Sequence, residues 1–84
     1  MNPFVKAITP LADYRLLVEF ENGERRVFDL TAYLDKGVFT QLRDPARFRL
    51  ARVVAGSIEW PGEIDLSYDT IYLRSQPAAE AAAA

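Results

Sequence analysis

Eighty-four residues suffice for one domain, near the lower size at which a chain buries a core without staples, and a hydrophobic content of 50% makes that core attainable. The absence of cysteine excludes disulfides and thiolate metal sites, while the absence of histidine removes the commonest metal ligand and the usual general base near neutral pH. Twelve acidic against ten basic side chains leave a net charge of −2, with no global pull toward nucleic acid or anionic membrane.

In chain order, the first expected element is a short strand from Phe4 to Ile8, closed by Thr9-Pro10 because proline donates no ladder bond. Leu11-Ala12-Asp13 turns the chain into an alternating strand with Tyr14, Leu16, Val18 and Phe20 on one face and Arg15, Leu17 and Glu19 on the other. Asn22-Gly23 then signals a hairpin. A two-residue loop there sets Glu19 against Arg26, Val18 against Val27 and Leu17 against Phe28; a three-residue loop with Gly23 in a bulge is the alternative and shifts that register by one residue.

After Phe28 the apolar period changes from two to about 3.6. Asp29 is a good N-cap for a short helix carrying Leu30, Tyr33 and Leu34 and ending at Lys36-Gly37. Val38, Phe39 and Leu42 repeat at helical spacing, and Asp44-Pro45 offers a second cap ahead of Phe48. These pieces are expected to form one helical layer against the sheet. Arg49 to Ala55 alternates again, Gly56-Ser57 turns, and Ile58-Glu59-Trp60 returns until Pro61-Gly62, giving a second hairpin. Within Glu63 to Leu73, Ser67 caps a short helix bearing Tyr68, Ile71 and Tyr72, with strand as the rival assignment. The Ala-rich stretch over 75–84 is expected to be a disordered tail. No window approaches the ~20 apolar residues of a membrane span, and Met1-Asn2-Pro3-Phe4 lacks the layout of a signal peptide, so the expected location is cytoplasmic.

Three constellations bear on function. Glu59, Glu63, Asp65 and Asp69 are the only carboxylate cluster, but a calcium loop needs a denser pattern, and capping and solvation explain these acids better. Arg43, Arg47, Arg49 and Arg52, broken only by Asp44, form a cationic segment able to grip phosphates, although helical then extended spacing scatters them over more than one face. Pairing of that segment with the acidic one, within the chain or between two copies, is the other use open to it. Trp60 is either a partner anchor or a core residue whose indole N–H reaches a backbone carbonyl. The glycines stand one by one at turns and form no phosphate cradle, and the serines have no base to activate them.

The succession Phe20-Glu21-Asn22-Gly23-Glu24, Phe28-Asp29-Leu30, Phe39-Thr40-Gln41-Leu42-Arg43-Asp44-Pro45-Ala46-Arg47-Phe48 and Ile58-Glu59-Trp60-Pro61-Gly62-Glu63-Ile64-Asp65-Leu66 resembles the bacterial family called domain of unknown function 2442, over Val5 to Tyr72. The resemblance implies a small α+β fold with an N-terminal meander, a helical middle and a further hairpin leading into the Asp-Leu motif. It also implies a gene often placed beside a small partner of another family, in pairs that look like toxin and antitoxin modules. Some relatives carry a helix-turn-helix domain; here only the Ala-rich stretch follows Leu73, which argues against autonomous DNA recognition. Tyr68 stands where relatives often have Pro. The family supplies no catalytic residues to carry over.

The expectation is therefore an α+β domain over 1–74, a small antiparallel sheet packed against short helices, with no catalytic, cofactor-binding or metal-binding residues. Its expected role is that of a non-enzymatic protein-interaction module, the antitoxin-like or regulatory half of a two-gene pair. Trp60, Asp65, Asp69, Tyr72, Arg47 and Arg52 are the candidate interface residues. The expected partner is a protein, such as the product of an adjacent gene, or a second copy of the chain. The alternative is a nucleic-acid-binding accessory domain using Arg43, Arg47, Arg49 and Arg52.

Overall fold

A computed structural model describes residues 1–79 and builds them as two small antiparallel sheets joined by short helical turns. The first sheet has the order β1-β2-β3-β7, from β1 (Val5–Pro10), β2 (Arg15–Phe20), β3 (Arg25–Asp29) and β7 (Gln76–Pro77). The second is the meander β4 (Arg52–Val54), β5 (Ser57–Trp60) and β6 (Ile64–Leu66). Two α-helices, α1 (Pro45–Phe48) and α2 (Tyr68–Arg74), complete the α+β fold. β1 runs on through Pro10 rather than stopping at Ile8, which an edge strand tolerates because its outer side needs no donor.

The first hairpin takes the three-residue loop. Phe20 O accepts the Gly23 N–H at 3.0 Å, Phe20 N–H donates to Glu24 O at 2.8 Å, and Gly23 alone in the loop is left-handed, at φ 90°. A type I′ turn would need positive φ at Asn22 as well; instead the Asn22 side chain accepts the Glu24 N–H at 3.0 Å. Leu16 therefore faces Phe28, Leu17 faces Val27, Val18 faces Arg26 and Glu19 faces Arg25, one residue away from the two-residue pairing. Burial explains the choice. Directly opposed residues share a face, and only this register puts Phe28 on the buried side with Leu16, Val18 and Phe20.

The second hairpin carries the two-residue turn. Ala55 and Gly56, at φ 51° and 81°, link Val54 to its partner Ser57.

Between β3 and α1 the expected helices are 3₁₀ turns, Thr31–Tyr33 and Gly37–Arg43. Thr31, Tyr33, Val38, Phe39 and Thr40 are poor helix formers and Gly37 is left-handed at φ 49°, so three-residue bonds such as Leu34 N–H to Thr31 O replace α-helical ones. At α1 the expected cap is present: Asp44 Oδ1 accepts the Ala46 N–H at 3.0 Å and Pro45 opens the helix. Over 63–73 strand and helix both occur in succession, with Ser67 capping α2 through the Thr70 N–H.

One core joins the two sheets. Leu16, Val18, Phe20 and Phe28 from the first sheet cluster with Ile58, Trp60 and Ile64 from the second, closed by Leu42, Phe48 and Ile71. Order does not stop at residue 74: Ser75 is buried, and Gln76 and Pro77 pair with Val27 and Arg26. Residues 75–77 of the stretch expected to be a disordered tail are thus part of the fold, and residues 80–84 lie outside the described residues. No described helix is long and apolar enough to cross a membrane.

Candidate interaction surface

Trp60 belongs to the core. It is 1% exposed at the end of β5, and its Nε1–H donates to Phe48 O at 2.9 Å. The inward phase of the strand fixes this, since Ile58 and Trp60 alternate with Ser57 and Glu59, which turn outward. Burial leaves its ring no surface for a partner, which corrects its place among the interface candidates.

The other five candidates fall in separate settings. Arg52 and Asp65 occupy the positions on either side of Glu59, across the outer face of the three-stranded sheet. Asp69, in the first turn of α2, accepts from Asn2 Nδ2 at 3.1 Å.

Tyr72, half-buried on α2, stacks edge-on against Phe20 at 5.1 Å, and its hydroxyl donates to Glu24 Oε2 at 2.6 Å. Arg26 explains why a cation tolerates the inner face of β3: its guanidinium lies 4.8 Å from the Tyr72 ring centroid and donates to Ser75 Oγ and Ser75 O at 2.7 and 2.8 Å. The Tyr72 hydroxyl bond, then the Asn22 amide, holds the Glu24 carboxyl below its ordinary value, and the same bond raises the Tyr72 hydroxyl. This network ties the C-terminal helix to the first hairpin, a structural use of Tyr72.

Arg47 differs from these because it lines a concavity. A cleft of about 350 Å³ is bounded by Gln41, Arg47, Leu50, Pro61 and Gly62. Arg47 and Leu50 lie on one turn, closed by Leu50 N–H to Arg47 O at 3.0 Å. The opposite wall is the turn between β5 and β6, where Pro61 precedes Gly62 at φ 99° and Glu63 at φ 63°. Arg47 Nη1 donates to Gln41 Oε1 at 2.8 Å, and a Cβ on Gly62 would lie 3.4 Å from that same oxygen. Leu50, 56% exposed, supplies the apolar part.

The remaining arginines point elsewhere. Arg43 Nε donates to Leu34 O at 2.8 Å, while Arg49 lines a smaller cleft of about 200 Å³ with Asp13, Tyr14 and Pro45. No three acidic side chains among the described residues converge to hold a metal ion. Of the cleft residues, the sequence singled out Arg47 alone. Leu50 at three residues' spacing from it and the Pro61-Gly62 turn were visible, but nothing local says that they meet.

In comparison with known families, the one described as Protein of unknown function (DUF2442) matches residues 5–77. No curated protein and no solved structure matches.

Proposed function

Because the chain belongs to the protein-of-unknown-function family DUF2442, its role must be argued from its surface, and we propose a non-enzymatic protein-interaction module that receives its partner at the Arg47–Leu50 cleft. In this reading it is the antitoxin-like or regulatory member of a two-gene pair, and its partner is the product of the adjacent gene. The carrying observation is the juxtaposition of the exposed Leu50 with Arg47, hydrogen-bonded to Gln41, in one concavity. Scattered apolar side chains on a surface need no explanation, but this one stands in a concavity beside an arginine, a residue type enriched at interface hot spots. A chain with neither histidine nor cysteine supports the non-catalytic part of the reading.

The test is affinity capture of the adjacent gene's product from nuclease-treated host lysate, using the wild-type chain and Leu50→Asp. Capture is expected to be lost in Leu50→Asp while its far-UV circular dichroism is unchanged. Equal capture by Leu50→Asp and by Arg47→Glu would refute the cleft as the contact surface.

A further inference from the structure

We infer that the cleft accepts an acidic peptide segment, one carboxylate on the Arg47 guanidinium and a neighbouring apolar side chain against Leu50 and Pro61; this rests on the reading of the cleft as the partner site. The cation is held by a neutral group. Gln41 Oε1 takes one N–H of the guanidinium at 2.8 Å, and the single ion pair within 4 Å among the described residues is Arg26 with Glu24, so no described carboxylate pairs with Arg47. A guanidinium carries five donors in a rigid fork matched to a carboxylate, and using one of them to fix its position leaves the others for a ligand. Gly62 lines the same cleft, and its missing side chain leaves the space beside Gln41 Oε1 open, where an added Cβ would lie 3.4 Å from that oxygen.

Charge and size select the ligand class. Among the described residues Arg47 is the one cation lining this cleft, since Arg43 is directed to Leu34 O, Arg49 lines another concavity and Arg52 lies opposite Glu59 on the second sheet. A single positive charge beside leucine and proline complements one carboxylate next to an apolar group, whereas a phosphate backbone is matched by several cations along a groove. At about 350 Å³ the space is at the small end of ligand sites and suits one or two side chains of a peptide.

The experiment titrates the full ¹⁵N-labelled chain with an acetylated, amidated peptide carrying Leu-Glu-Leu at its centre, following amide shifts, and measures affinity by fluorescence anisotropy. Shifts are expected at Gln41, Arg47, Leu50 and Gly62. Replacing the peptide's Glu by Gln, or Arg47 by Gln, is expected to weaken binding about threefold to fivefold, as loss of one solvent-accessible ion pair does. The peptide substitution leaves the protein untouched, so it tests charge recognition independently of folding. Absence of shifts at millimolar peptide, equal affinity for the Gln peptide, or tighter binding of a phosphopeptide or a short oligonucleotide would overturn the inference. If the acidic peptide fails while Leu50→Asp still abolishes capture of the adjacent gene's product, the ligand class falls and the cleft reading stands.

Discussion

Trp60→Phe separates a core role from a contact role more cleanly than any other single change. The indole is 1% exposed and donates to Phe48 O at 2.9 Å. Phenylalanine is smaller by about three ring atoms, and at ~0.8 kcal/mol per buried carbon-sized group the lost burial costs ~2 kcal/mol. The lost hydrogen bond adds about 1 kcal/mol. It adds no more than that, because Phe48 O also accepts from the Ala51 N–H at 3.3 Å and is not orphaned. A total near 3 kcal/mol is a large share of the ~5–15 kcal/mol that holds a small domain together, and it corresponds to a fall in Tm of roughly 12–24 °C. Urea unfolding followed by far-UV circular dichroism is the appropriate assay, since the substitution removes the fluorescent probe. A loss below about 1 kcal/mol would refute the core assignment.

Gly56→Ala is expected to destabilise more than Gly23→Ala in the same assay. Both glycines are left-handed, so each alanine carries roughly 1–2 kcal/mol of backbone strain. Only at Gly56 does the new Cβ strike a neighbour, 2.8 Å from Phe4 Cγ, whereas at Gly23 nothing lies within 4 Å; the reverse order would contradict the hairpin geometry. Tyr72→Phe is expected to lower stability in a pH-dependent way. Glu24 is held below its ordinary value of 4.5, so its bond to Tyr72 contributes above that pH and is lost as pH falls through the folded-state value. Tyr72 is raised above 10.0, so the contribution is also lost as pH rises through its folded-state value. Thermal melts of the two proteins from about pH 3 to 8 should converge on the acid side, and a constant gap would remove the linkage.

What was legible in the sequence is what short-range chemistry decides. Asp44-Pro45 and Ser67 cap helices because a side-chain oxygen and a few backbone N–H groups suffice. Asn22-Gly23 marks a chain reversal for the same reason, but the dipeptide serves a two-residue and a three-residue loop alike. Register was settled from outside the turn, by the requirement that Phe28 join Leu16 in the core. The two-residue left-handed turn stands instead at Ala55-Gly56, where alanine gives no warning of it. β7 was illegible for a related reason: Gln76-Pro77 has no strand character of its own and is placed by Arg26, whose guanidinium holds Ser75.

The candidate site was less legible than the fold because charge runs along a chain do not remain patches once the chain changes conformation. Arg43 ends a 3₁₀ turn, Arg47 sits in α1, Arg49 follows that helix and Arg52 lies in β4, so four arginines within ten residues do not share one element. The segment that looked cationic therefore yields one arginine in the cleft rather than a basic stripe. What gives Arg47 its setting comes from elsewhere: Gln41 from the preceding turn, and Pro61 and Gly62 from a hairpin more than ten residues further on. That turn stands where it does because Trp60, one residue before Pro61, is drawn into the core and bonded to Phe48, the residue after Arg47. The buried tryptophan thus takes no part in contact, yet its bond ties together the two walls between which a partner would fit.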